Sequence, residues 1–238
     1  MQDNQSLHKV VKTTLVEQAV DQVQALVLSQ QLQPGDSLPS EMRLAETLGV
    51  SRPVVREALR TLAGRGILTI SNGRNAIVSP VNAASLVQFF ERATQSNAVT
   101  VIELLEVRRG IEVQSVTLAA QRRQSHDVVA LRQTLTHLQQ AQYDHERYSV
   151  LDAKLHMQIA SASQNAMLWY LVESLSGALR TASLAGLQQR RNRAELDQVQ
   201  ADHQAIVTAI CDQDHQRAQQ VMERHMDGAL LAIRRSGE

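Results

Sequence analysis

The sequence predicts a mainly α-helical protein in two parts: a short unit of three helices and a hairpin, then an antiparallel all-α bundle of six or seven helices. Three observations carry that expectation. Among 238 residues only ten are Gly and four are Pro, and aromatic residues make up 3%, a composition that favours helices. Apolar residues recur at helical spacing through most of the chain. An Asn-Gly turn signal between two β-prone runs lies before residue 80, and no convincing strand follows Asn82.

Thr13 to Gln31 reads as an amphipathic helix, with Leu15, Val16, Ala19, Val20, Val23, Leu26 and Val27 on one side. Gln33-Pro34-Gly35-Asp36 stops it. Ser40 then caps a short second helix, with Glu41 in the first turn, where a carboxylate suits the helix dipole. That helix carries Met42, Leu44, Ala45 and Leu48 and ends at Gly49, a C′ glycine. Ser51 caps a third helix with Pro53 in its first turn, where a missing N–H does no harm. Val54, Val55, Ala58, Leu59 and Leu62 form its inward stripe. Arg52, Arg56 and Arg60, at i, i+4 and i+8, share the outer face. Gly64 and Gly66 end it. Ile67 to Ile70 and Ala76 to Val78 flank Ser71-Asn72-Gly73-Arg74-Asn75 as a β-hairpin, and Pro80 closes the unit.

Helix, helix–short turn–helix and hairpin within about 80 residues is a winged helix-turn-helix plan. The competing reading is a small α+β domain with a solvated basic helix. The tight spacing, the arginine stripe and the basic hairpin tip together favour a DNA-binding domain over 8–80. From there to residue 238, helical periodicity runs over 84–94, 100–122, 128–142, 146–162, 166–189, 192–211 and 215–235. Polar breaks at Gln95-Ser96-Asn97, Ser125-His126-Asp127, Ser163-Gln164-Asn165 and Asp212-Gln213-Asp214 separate some of these segments. Short connections imply antiparallel packing in one bundle, 81–238.

Composition narrows the function classes. With 43% hydrophobic residues there is ample material for packed cores. One cysteine, Cys211, excludes an intrachain disulfide and a multi-cysteine zinc site. The N-terminal stretch MQDNQSLHKVVKTT has no apolar h-region, and no apolar run approaches the ~20 residues of a membrane span. A cytoplasmic protein without a membrane partner is expected. Lys plus Arg and Asp plus Glu both number 24, so only the local excess at Arg52, Arg56, Arg60 and Arg65 against Glu57 points towards nucleic acid.

At residues 38–78, LPSEMRLAETLGVSRPVVREALRTLAGRGILTISNGRNAIV, the chain resembles the DNA-binding domain of GntR-type bacterial repressors. The helical remainder resembles the FCD ligand-binding domain of the FadR branch. The resemblance covers nearly the whole chain. It implies that Arg52 and Arg56 on the recognition helix contact DNA with Pro53 near the backbone, and that Asn72, Gly73 and Arg74 approach the minor groove. Members usually carry Arg directly after the Ser-Glu of the second helix, where this chain has Met42. Arg43 stands one position later, about 100° around the helix, and completes the expected DNA-contacting set. The chemistry agrees: a guanidinium can donate two parallel hydrogen bonds to guanine O6 and N7, and further arginines neutralise phosphates.

Seven of the eight histidines follow residue 125. Asp152 and His156 share a helix face at i, i+4, and His203 and His225 lie on later helices. Each imidazole borders an apolar stripe, so all three can point into a bundle core, where facing helices assemble metal sites. Three histidines and one carboxylate suit Zn²⁺, or Ni²⁺, Mn²⁺ or Fe²⁺ where open positions remain. The plain alternative is an Asp/His surface pair and scattered solvated histidines. A large subset of FCD domains carries Asp-x-x-x-His, then a His on a later helix and another in the last helix, and these four residues look like that pattern. His126, His137, His145 and His215 do not match it and read as surface residues. The resemblance further implies that Arg108 and Asn165 face an effector cavity; a solvated arginine and a turn or cap asparagine are the plain alternatives. Arg109 reads as solvent-facing.

The expected function is therefore a homodimeric repressor of a catabolic operon on a palindromic operator of double-stranded DNA. A small carboxylate, a sugar acid or hydroxy acid, would release it by binding near a metal and Arg108. One alternative makes the metal itself the signal. Another, a metalloenzyme with a DNA-binding domain, lacks a His-Glu-x-x-His motif and a marked general base.

Overall fold

A computed structural model describes residues 13–71, 75–96, 99–188 and 193–235. The chain forms two compact units that divide between Asn82 and Ala83. Unit 1 holds α1 (Leu15–Ser29), α2 (Glu41–Leu48), α3 (Arg52–Gly64) and an antiparallel pair, β1 (Leu68–Thr69) and β2 (Ile77–Val78). Unit 2 holds seven described helices: α4 (Ala84–Gln95), α5 (Val101–Arg122), α6 (Ser125–Gln140), α7 (His145–Ala162), α8 (Ala166–Gln188), α9 (Arg193–Cys211) and α10 (His215–Arg234).

Local chemistry sets the ends of these helices. Thr14 and Glu17 form a capping box on α1, and Thr100 and Glu103 form another on α5. The Ser40 hydroxyl accepts from Arg43 N at 3.2 Å. Gly49 ends α2 in the left-handed region at φ 66°, a conformation that only glycine adopts without steric cost. Ser51 precedes α3 in extended backbone, but its side chain makes no capping bond.

The core of unit 1 joins Val20 and Val23 of α1, Leu44 of α2, Val55, Ala58 and Leu62 of α3, and Leu68 and Val78 of the strands. Ser37 adds an isolated bridge to Ile77, so a third extended segment lies beside the two-residue strands. The hairpin tip at Asn72, Gly73 and Arg74 lies outside the described residues. Met42 departs from its place among the apolar residues of α2: it is 58% exposed, while Leu44 and Ala45 take the core positions.

In unit 2, α5 packs against α7, α8, α9 and α10, so most of its circumference is buried and it shows no single apolar stripe. Leu105, Val116, Leu155, Ile159, Ile206, Ile210, Met222 and Met226 belong to the core. One expected break is not a break. Ser125, His126 and Asp127 are the first turn of α6, where Asp127 accepts from the backbone N–H of Gln124 at 2.8 Å. Polar residues gather there because the first turn of a helix has unpaired N–H donors.

Candidate functional site

In unit 1 a concave face lies between α2, α3 and the strand ends. Met42, Arg52, Arg56, Arg60, Ile70 and Asn75 are among the residues lining it. Arg52 and Pro53, in the first turn of α3, are exposed. The guanidinium of Arg56 donates through Nε and Nη2 to the Glu41 carboxylate at 3.2 and 2.9 Å. Arg60 faces Glu57 at 3.6 Å and is 66% exposed. Arg43 does not line this face; its Nη1 lies 4.0 Å from Glu46. Two of the expected DNA-contacting arginines, Arg52 and Arg56, thus share a surface with Arg60, and Arg43 lies apart from it.

In unit 2, α7 carries Tyr148, Asp152 and His156 one turn apart on one face, α9 brings His203 and α10 brings His225. All four expected metal-ligating residues are buried, and one potential ligand atom from each lies within 4.8 Å of every other. The His203 and His225 rings have centroids 4.6 Å apart, and those of His156 and His225 are 5.5 Å apart. Asp152 Oδ1 lies 3.0 Å from His203 Nε2 and 3.7 Å from His156 Nε2.

The surroundings assign the protons. Tyr148 donates its single hydroxyl proton to Gln200 Oε1 at 3.0 Å, so at the 2.9 Å contact with His203 it accepts from Nδ1–H. Glu112 Oε2 lies 2.9 Å from His156 Nδ1, within ion-pair distance but outside hydrogen-bond geometry. Both imidazoles turn Nε2 towards Asp152, and neither Nε2 has a hydrogen-bond partner. Lone pairs of nitrogen and oxygen meet there unless a cation lies between them. Buried atoms left this way ask for an ion or a proton, and three imidazoles with one carboxylate are a donor set that divalent metals accept.

Electrostatics point the same way. Burial pushes the His225 pKa well below the ordinary histidine value, and His203 and His156 nearby lower it further, so its ring stays neutral with a lone pair to offer. Burial alone would raise Asp152, yet the His203 contact and the charges of its neighbours, Arg108 among them, hold it below the usual carboxylate range. Glu112 behaves alike: burial opposes ionisation, but His156 and Arg108 keep it ionised.

Arg108 is buried on α5, where its Nε donates to Glu112 Oε1 at 3.1 Å. Its Nη2 is buried without a partner. It lines a small cavity of about 40 Å³ that Asp152 and His225 also line. Asn165 does not line that cavity. Its Oδ1 accepts from Met167 N at 3.1 Å and Leu168 N at 3.3 Å, which makes it the cap of α8. Arg109 faces outward and pairs with Asp227 at 2.7 Å. His126, His137 and His215 are exposed, and His145 is half-buried.

Glu112, Tyr148 and Gln200 were not expected from the sequence. Glu112 stands at i+4 from Arg108 and Tyr148 at i−4 from Asp152, so the pattern that picked out Arg108 and Asp152 also contained them. What was missing was that α5 and α7 are buried at those positions.

Residues 103–228 match the FCD domain family, and residues 15–78 match the family described as bacterial regulatory proteins, gntR family. The Glc operon transcriptional activator of Escherichia coli K12 is 29% identical, over 89% of this chain and 86% of its own length. The putative L-lactate dehydrogenase operon regulatory protein of the same organism is 27% identical, over 96% and 90%. LutR, a transcriptional regulator of Bacillus subtilis, is 27% identical, over 84% and 93%. Among solved structures, a GntR protein of Streptococcus agalactiae aligns with a TM-score of 0.66 at 25% identity, over 93% of this chain and 99% of that one.

Proposed function

The chain belongs to the GntR family of bacterial transcription regulators, in its FCD-domain branch, and from that premise we propose that it is a repressor released from DNA by a small carboxylate. DNA-binding regulation, not catalysis, is what its relatives do. In the proposed mechanism a homodimer sets two copies of α3 in successive major grooves of a palindromic operator. Arg52 and Arg56 read base edges there, Pro53 lies along the backbone, and Asn72, Gly73 and Arg74 reach the minor groove. Arg43, on the neighbouring side of α2, is left to a flanking phosphate. The protein acts in the cytoplasm, and among the described residues no helix is long and apolar enough to cross a membrane.

Asp152, His156, His203 and His225 would hold a divalent metal, Zn²⁺ first, with Ni²⁺, Mn²⁺ and Fe²⁺ as competitors. The metal would supply a Lewis-acidic point for one carboxylate oxygen. This chain's own contribution is Arg108, which lines the cavity and whose unpartnered Nη2 would take the other oxygen. The buried, unpartnered Nη2 of Arg108, a residue that lines one cavity with Asp152 and His225, is the observation that carries the proposal. A hydroxy acid or sugar acid fits the donor set, since a hydroxyl beside the carboxylate adds a second oxygen for a metal with open positions. The relative named for an L-lactate dehydrogenase operon points to the same class of compound. The acid releases DNA only if the two dimer geometries bind it with different affinity.

Elemental analysis of the purified protein, paired with a thermal-shift screen of hydroxy acids and sugar acids, tests this. About one metal per chain is expected, with an acid that raises Tm in the wild type but not in Arg108→Ala. No bound metal and no stabilising acid would remove the proposal. A second reading makes the metal the signal, because three histidines and Asp152 complete a tetrahedral set without any acid. Release of operator by metal alone would select it.

A further inference from the structure

The first turn of α2 contributes two side chains to the concave face of unit 1, and neither is a cation. Glu41 is engaged with Arg56. Met42 follows it, well exposed to water on a helix whose core positions belong to Leu44 and Ala45. It lines the same face as Arg52, Arg56 and Arg60, with Ile70 as a second exposed apolar side chain. Arg43 turns away from it. An unbranched thioether offers nothing to a phosphate and nothing to the acceptors of guanine. The apolar feature that a major groove presents is the C5-methyl group of thymine.

We propose that Met42 reads a thymine methyl group in each half-site, beside the guanine contacted by Arg56. The inference rests on the reading of α2 and α3 as the DNA-contacting elements. Three features support it. Met42 is next in sequence to the residue that holds the Arg56 guanidinium, so both side chains reach the same part of the groove. The methionine side chain is long and flexible and adapts to a small apolar target. Exposure in the free protein means that burial against the methyl group is gained on binding, so it counts towards affinity for that base.

The test selects duplexes from a random pool with the full-length protein, then replaces each thymine of the selected half-site in turn with deoxyuridine, which removes only the methyl group. Replacement at one thymine per half-site is expected to weaken binding roughly three- to fivefold, the value of one buried methyl. Met42→Ala should lose that sensitivity and keep the others. Met42→Arg should shift the selected base at that position from thymine towards guanine. Enrichment of a palindrome tests the DNA-contact reading separately. A uracil profile that is flat, or identical in Met42→Ala and wild type, overturns the role given to Met42. Because Met42 is exposed, both variants should match wild type in thermal melting, which separates lost recognition from lost folding.

Discussion

Glu41 closes on one edge of the Arg56 guanidinium, with Oε2 2.9 Å from Nη2 and 3.2 Å from Nε. The hydrogen bonds lower the pKa of Glu41 and raise that of Arg56, so both stay charged. The geometry has a stereochemical result. The side edge of the guanidinium is taken, and the end edge, Nη1 with the outer hydrogen of Nη2, remains for two parallel bonds to a guanine. A carboxylate on a surface proposed to face DNA opposes phosphate binding, and at this position it would orient the proposed base-reading group.

Glu41→Ala is therefore expected to change two affinities in opposite directions. Binding to operator should weaken by roughly tenfold, the lower end of what a bidentate base contact contributes. Binding to random duplex should strengthen, because a negative charge near phosphates has gone. Competition binding at one salt concentration reads both. A parallel change in the two affinities would show that Glu41 acts only through charge.

Glu112→Gln keeps the shape of the buried chain from Arg108 to His156 and removes its charge. Metal affinity is expected to fall about 10–100-fold, as for other groups that orient a ligating histidine. Competition with a chromophoric chelator measures it. Unchanged affinity would mean that Glu112 serves Arg108 alone.

Acid should destabilise the metal-free protein. In the fold His225 is held neutral by burial, with His203, His156 and Arg108 opposing its protonation and Asp152 favouring it. The unfolded chain takes up that proton near the ordinary histidine value of about 6.5. Below that pH the unfolded state binds more protons than the folded one, so stability falls as pH falls towards the depressed folded-state value. Urea melts of chelator-treated protein between about pH 7.5 and 5 should show a declining midpoint. His225→Gln should flatten the slope.

Asn165→Ala separates a cap from a ligand contact. Loss of the two bonds to Met167 N and Leu168 N is expected to cost about 1 kcal/mol of stability. Metal content and the stabilisation by acid should not change. A selective loss of the acid response would give Asn165 a role at the cavity.

Much of the fold was legible because period and punctuation agree in this chain. Gly49 and Gly66 stand where the backbone needs positive φ, and the apolar stripes of α1 and α3 face one small core. The start of α6 is hidden in the sequence because the polar residues that cap a helix look like those that end one. Met42 is apolar, but in the first turn of an eight-residue helix its angle around the axis decides, and it lines the concave face while Leu44 and Ala45 turn inward. The histidines were legible through their spacing and the resemblance together. Glu112 and Gln200 were not, because a charged or amide residue on a helix reads as solvated until its neighbours are known. Only the packing of α5 among four helices shows that a pair such as Arg108 and Glu112 must satisfy itself in the dark of the core.

Glu112 is shared: one oxygen meets Arg108 at 3.1 Å and the other meets His156 at 2.9 Å. If an acid binds Arg108 as proposed, it would weaken the pull of Arg108 on Glu112 and leave that carboxylate to polarise His156 more strongly. By thermodynamic reciprocity, whatever factor the anion adds to metal binding the metal returns to the anion. On that proposal, a regulator wired through one acid would act as a coincidence detector, weighing the joint abundance of two solutes because each binds more weakly where the other is scarce.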